Sequence, residues 1–216
     1  MENLLKIKEK VKGKFDNNEK LIKTPEIIAV SKTFKLDHIM PLINNGHTHY
    51  GENKVQEASD KWTKIKKNNN KIKLHLIGRL QTNKVKLALS LFDFIHSLDN
   101  KRLADKICKT EKELNKKTKI FIQVNIGNEG QKSGIPKNEV FEFYDYCKNL
   151  DLDIIGLMCI PPFGDEVNKY FLEMFHFKKL LKLNELSMGM SSDYLEATEN
   201  GATYLRIGSQ IFGERV

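Results

Sequence analysis

"IIAVSKTFKLD", residues 27–37, opens on four apolar residues in a row and turns polar at Ser31 and Lys32. Apolar residues that run on without alternating mark a strand covered on both faces, as in a parallel sheet. Working outward, similar strand-like runs occupy 26–31, 47–51, 73–78, 92–98, 119–126, 152–158, 185–190 and 203–208. Stretches with helical periodicity separate them, at 37–45, 53–66, 82–91, 100–116, 137–149, 166–182 and 192–200. Strands alternating with helices call for a parallel sheet with helices outside. Eight such units are the number that closes a single-domain α/β (β/α)8 barrel of the TIM type. A doubly wound open sheet is the alternative. No linker rich in Gly, Pro or Ser interrupts the pattern, so residues 1–216 read as one domain, with 1–25 as an N-terminal helix and lead-in to the first strand.

Composition bounds the partners. With 40% hydrophobic and 30% charged residues the chain reads as a soluble globular protein. No apolar run approaches the roughly 18 residues that span a bilayer. The N-terminus, "MENLLKIKEKVKGKF", sets Leu4, Leu5, Ile7 and Val11 at helical spacing among charges. It lacks the apolar core and cleavage site of a secretory signal, so a cytoplasmic protein without membrane contact is expected. The formal charge is +8, yet Arg occurs only at positions 79, 102, 206 and 215, and every other basic residue is Lys. Nucleic-acid surfaces lean on Arg forks and aromatic stacking, so a solvated Lys-rich surface is the reading and no nucleic-acid partner is expected. Cys108, Cys147 and Cys159 are odd in number and far apart, which supports neither disulfides nor a zinc site. They read as buried thiols.

A closed barrel places its chemistry at the C-terminal ends of the strands. The first of these ends carries Lys32. A partly desolvated lysine there has a lowered pKa and a nucleophilic amine, suited to a Schiff base with an aldehyde. After the last strand, Gly208 and Ser209 open a short terminal helix in "YLRIGSQIFGER". N–H groups at a helix start, approached closely past a glycine, bind anions. Ser191 and Ser192, with Asp193 behind them, stand at another expected helix start after strand seven. The last strand of a barrel abuts the first, so an aldehyde at Lys32 and a phosphate at Gly208 and Ser209 could belong to one ligand. Pyridoxal 5′-phosphate (PLP) has both groups.

The segments "AVSKT", "YGENKVQE", "HLIGRLQTNK", "IHSLD", "VNIGNEGQKSGI", "GLMCIP", "LSMGMSSDYLEA" and "LRIGSQIFGER" occur in this order from about residue 26 onward. In them the chain resembles the pyridoxal phosphate homeostasis proteins. The resemblance implies a PLP-binding barrel like the N-terminal domain of alanine racemase, with Lys32 carrying PLP as an aldimine. It implies Arg206 opposite the pyridine nitrogen, Gly208, Ser209 and Ser191 on the phosphate, and Asn53 beside the cofactor. Apo PLP-dependent enzymes are the partners it suggests, and a monomer is expected. One departure is Arg79-Leu80, where many relatives have a proline after the glycine; it borders the mouth.

The same assignment bears on catalysis. PLP enzymes that need a strong electron sink hold the pyridine nitrogen protonated, and a permanently charged arginine disfavours that. Racemases of this type also draw a tyrosine base from a second domain, whereas this sequence ends at Val216, eight residues past Gly208. The expectation is therefore a non-catalytic carrier or buffer of PLP, with a small amino-acid racemase as the alternative. His47 and His49 alternate along one strand, but no third ligand accompanies them, so no metal site is assigned. His75 and His96 fall within strands and are expected to line the barrel in satisfied hydrogen bonds.

Overall fold

The computed structural model describes residues 1–16, 18, 21 and 23–213. Part of the expected lead-in (17, 19, 20 and 22) and the end of the last motif (214–216) lie outside the described residues. Helix α1 (Glu2–Asp16) precedes β1 (Glu26–Val30), α2 (Leu36–Asn44), β2 (His49–Glu52), α3 (Val55–Asn68) and β3 (Lys73–Leu76). A 3-10 turn at Thr82–Lys84 leads into α4 (Val85–Leu91), followed by β4 (Phe94–Leu98), α5 (Lys101–Leu114) and β5 (Lys119–Asn125). The two-residue strand β6 (Ile135–Pro136) comes before α6 (Val140–Asn149), β7 (Ile154–Cys159), α7 (Val167–Leu180) and β8 (Glu185–Ser187). The described chain ends with α8 (Tyr194–Glu199), β9 (Tyr204–Ile207) and the one-turn helix α9 (Ser209–Phe212).

All strand pairs are parallel, and the ring closes. β9 pairs with β1 from Glu26↔Tyr204 to Ala29↔Ile207, while β4 pairs with β5 on the opposite side. Closure excludes the open sheet. Eight strands make the ring, and β6 is an addition at the edge of β5, joined at Val124↔Ile135.

Side chains alternate between two cores, as the two-residue period of a strand requires. Ile27, Ala29 and Leu74 face outward into the layer between barrel and helices, where Trp62, Ile39 and Leu103 meet them. Ile28, Phe94, Phe121, Met158 and Tyr204 point inward as a separate cluster that fills the barrel. Local signals set the helix ends: Asn100 caps α5 by accepting from the Leu103 N–H at 2.9 Å, and Asn115 stops it in the left-handed region. Helix α1 buries Leu4, Ile7 and Val11 and packs on α8, leaving Leu5 exposed. Among the described residues no helix is long and apolar enough to cross a membrane.

Each of the eight expected strands comes out shorter, and at three of them the local cause is visible. His47 belongs to the turn after α2, its N–H returning to Leu42 O at 3.0 Å past Gly46 at φ +81. Phe92 closes α4 through Ala88 O, and Asp93 is turned to take the Leu74 N–H at 2.8 Å, so β4 starts at Phe94. β8 stops at Ser187 because Gly189 sits at φ +88, where a Cβ would lie 2.5 Å from that of Ala197. Only glycine fits that corner.

Candidate functional site

The chain leaves β1 through Ser31, which is buried, and Lys32, which is half-buried in the following turn. A carboxylate network holds that turn. Glu52, at the end of β2 and fully buried, accepts from Ser31 Oγ at 2.8 Å, Trp62 Nε1 at 2.9 Å and Lys61 Nζ at 3.0 Å. Lys61 also donates to Ser31 O at 3.0 Å and pairs with Glu57 at 3.2 Å. Glu57 in turn accepts the Thr33 N–H at 2.8 Å. Burial alone would raise the Glu57 pKa, but the Thr33 N–H and the Lys61 ammonium hold it below the usual carboxylate range. Thr33 itself stands at φ +69, costly for a β-branched residue. Strained backbone of this kind persists where the surroundings over-determine it. The strained residue directly follows Lys32, and its N–H is the one Glu57 holds.

On β9, the strand paired with β1, lies Arg206, only 5% exposed. Its guanidinium donates to Ser187 Oγ and to Cys159 O, each at 2.8 Å, and both acceptors are neutral. Burial lowers its pKa from the ordinary guanidinium value. Burial likewise pushes the Cys159 thiol up to about 12, so no thiolate stands beside Arg206. Gly208 follows at the cap of α9, with Ser209 as the first helical residue. The first N–H groups of a helix have no acceptor within it. Ser191 lies in the turn after β8, and its carbonyl accepts from Gln210 Nε2 at 2.5 Å, tying that turn to α9. The expected serine start of α8 is corrected: Asp193 takes the cap position and its carboxylate turns back to the Met190 N–H at 2.6 Å.

Lys32, Asn53, Ser191, Arg206, Gly208 and Ser209 all line one open cavity of about 570 Å³ at the C-terminal mouth. The residues suit a ligand with an aldehyde and an anionic group. Asn53 adds a direct sign, because its buried Oδ1 has no hydrogen-bond partner among the described residues. Gly78 permits this placement: a Cβ there would lie 2.2 Å from Asn53 O. Arg79 does not line this cavity. It lines an adjoining groove of about 1060 Å³ with Lys54, Lys84 and Arg102, and Asn53 borders both spaces.

The histidines fall into place across the barrel interior. His75 and His96 are fully buried and hydrogen-bonded to each other at 2.9 Å. His47 and His49 do not share a partner: His47 Nε2 meets His49 O at 2.9 Å, whereas His49 Nδ1 meets His75 Nε2 at 2.9 Å. Glu52, Thr33 and Ser187 were missed as site residues. Only Glu52 left a sequence signal, as a carboxylate at the C-terminal end of an expected barrel strand, between Gly51 and Asn53.

The closed barrel and its lysine-bearing mouth define a class: the model of the alanine racemase N-terminal domain matches residues 9–216. An alanine racemase of Clostridium difficile superposes with a TM-score of 0.71 at 15% identity, over 99% of this chain and 56% of its own, a likeness of fold alone. PipY of Synechococcus elongatus, solved with PLP bound, superposes at 0.83 with 33% identity, covering 96% of this chain and all of its own. A pyridoxal phosphate homeostasis protein of Aquifex aeolicus is 39% identical over 200 residues, 88% of this chain and 87% of that protein. The chain belongs to the pyridoxal phosphate homeostasis protein family.

Proposed function

We propose that this protein binds pyridoxal 5′-phosphate as a Schiff base on Lys32 and carries or buffers it, as a monomer, for apo PLP-dependent enzymes. The observation that carries this is the convergence of one lysine, one buried guanidinium and the Gly208–Ser209 helix start on a single mouth. PipY, with PLP in its solved structure, and the homeostasis relatives support the ligand. When bound, the cofactor supplies an electrophilic aldehyde and an electron-withdrawing ring. The chain's own residues do the rest. Lys32 presents the amine from a turn that Glu57 and Lys61 hold. Gly208, Ser209 and Ser191 receive the phosphate, and Asn53 offers its unpartnered Oδ1. Arg206 faces the pyridine nitrogen with groups that only donate. It leaves that nitrogen unprotonated, so the ring is a weak electron sink. Binding and release are favoured over chemistry.

Borohydride reduction of the yellow protein followed by peptide mapping tests the anchor. The pyridoxyl group should lie on Lys32, and Lys32→Ala should lose the visible band. A label on Lys54 or Lys84 would refute the assignment. The carrier reading has a separate test, exchange of an added amino acid's α-proton for deuterium. Exchange at about 1 s⁻¹ or faster, the ordinary enzyme range, would restore the racemase.

A further inference from the structure

Five hydrogen-bonding side chains run in file from the mouth toward the opposite end of the barrel. Arg206 Nη1 lies 2.8 Å from Ser187 Oγ, which lies 2.8 Å from His96 Nδ1. His96 Nε2 is 2.9 Å from His75 Nδ1, and His75 Nε2 is 2.9 Å from His49 Nδ1. The far nitrogen of His49 faces Glu26 Oε2 at 3.9 Å. Glu26 is the first residue of β1, exposed at the N-terminal end of the barrel. Ser187, His75 and His96 are fully buried, contributed by three different strands.

The two ends decide which way every hydrogen points. A guanidinium only donates, so Ser187 Oγ accepts from Arg206 and its single hydrogen goes to His96 Nδ1. His96 then carries its proton on Nε2 and donates to His75 Nδ1. By the same step His75 donates from Nε2 to His49 Nδ1, and His49 turns its own Nε2–H toward the Glu26 carboxylate. The reverse order fails at both ends. It would strip the Ser187 hydroxyl of its acceptor and aim a lone pair of His49 at Glu26. Charged rings fail too, since burial and the Arg206 charge hold the His96 pKa well below its usual value. Aromatic faces prevent other partnerships: His75 stacks on Phe94 and His96 on Phe121, each pair at 4.2 Å.

We infer that Ser187, His96, His75 and His49 form a hydrogen-bond chain of fixed polarity that positions Arg206 and sustains its charge. Each member turns its acceptor end toward the guanidinium, so the aligned dipoles present negative charge to a buried cation that forms no ion pair with a carboxylate among the described residues, Asp193 acting on it only from a distance. Cooperative chains strengthen their links in a low-dielectric interior. Because Arg206 cannot accept a proton, the chain delivers none to the mouth. It orients and does not shuttle. Ser187, His96 and His75 are therefore positioning residues for Arg206. That role deepens the PLP reading and rests on it, while the polarity of the chain does not.

Long-range ¹H–¹⁵N correlation of the imidazoles, recorded near neutral pH on protein without added PLP, tests the polarity. His75 and His96 should both be neutral Nε2–H tautomers with slowly exchanging protons. An Nδ1–H tautomer or a charged ring at either position would overturn the chain. Ser187→Ala, a near-isosteric change, tests the positioning. It should weaken retention of PLP about tenfold, the scale of one hydrogen bond to a charged group, and shift the visible band of the bound cofactor. Retention within about twofold with an unmoved band would reduce Ser187 to a packing residue. If the unsubstituted protein took up no PLP, the functional reading would fall and the tautomers alone would still decide the chain.

Discussion

The same eight strands end in two different structures. Toward their C-terminal ends they open on a polar cavity whose lining, Lys32 and Ser191 among it, is half-exposed. Deeper in, Ile28, Phe94, Phe121, Met158 and Tyr204 fill the interior, none more than 8% exposed, with His75 and His96 stacked among the rings. Mouth and floor divide the labour. A packed floor supplies rigidity, so the mouth can keep an Asn53 oxygen without a partner among the described residues, a strained Thr33 and a half-buried lysine. Those features cost stability where they stand, and ligand-binding elements are commonly drawn from the less stable parts of a fold.

The largest way to break the contrast is acid. His75 and His96 are held well below the usual pKa by burial, and His47 is brought to about 4 by burial and then by Lys8. A base with a depressed folded pKa takes its proton first in the unfolded chain. Stability is therefore complete above about pH 6.5 and falls as pH drops toward the folded values. Each ring that stays neutral in the fold contributes a slope of up to about 1.4 kcal/mol per pH unit below that point, so the unfolding midpoint in urea should fall steadily as the pH is lowered from about 6.5. Urea titrations at stepwise pH check this, and a flat stability between pH 6.5 and 5, above the carboxylate range, would contradict the buried neutral rings. Next in size, Phe121→Ala removes a wall of the floor and should cost about 3–5 kcal/mol. The same titration on Ser209→Ala, at the mouth, should move by less than about 1 kcal/mol. Equal losses would erase the distinction between the two regions.

The mouth was far more legible in the sequence than the floor. Strand ends are local, so the apolar run before Lys32, the serines after strand seven and the Gly208–Ser209 step could be read along the chain; the resemblance added Asn53 and Arg206, and all six residues line one cavity. Contacts across the barrel are different. His96 and Ser187 are 91 positions apart, and nothing at either residue announces the other until closure and register bring them together. Backbone detail was hidden for another reason. Propensity argues against a β-branched residue at positive φ, so the strain at Thr33 could not be anticipated, nor could the early end of β8 at the Gly189 corner.

A third test weighs ligand against protein at the mouth. Gly208 has a negative φ of −118, and a Cβ there would meet Val30 no closer than 3.4 Å. Gly208→Ala should thus fold normally. If Gly208 lets a phosphate approach the backbone, the variant should bind PLP about tenfold less well, or about 1.4 kcal/mol, while pyridoxal, lacking the phosphate, binds as before. A matched loss for both ligands would remove the phosphate from this corner.

The smallest expected change in stability, and the sharpest contrast with the floor, lies at Thr33. Thr33→Gly releases a left-handed strain of about 1–2 kcal/mol. It also forfeits the bond from Thr33 Oγ1 to Lys32 O at 2.5 Å, worth about 1 kcal/mol in a partly exposed turn, and adds glycine's backbone freedom, about 0.5–1 kcal/mol. These terms oppose one another, so the thermal midpoint should move by only a degree or two, the equivalent of roughly 0.5 kcal/mol. The direction of Lys32 should suffer instead, because the strained residue is the one whose N–H is pinned by Glu57. Formation of the borohydride-trappable adduct should slow severalfold at unchanged stability. If stability and adduct formation both stayed at their original values, the turn would be no more than a connection. If stability rose by about 2 kcal/mol with adduct formation unaffected, the strain would be real but idle, and the rigidity that aims Lys32 would have to come from Glu52 and Lys61 beneath it.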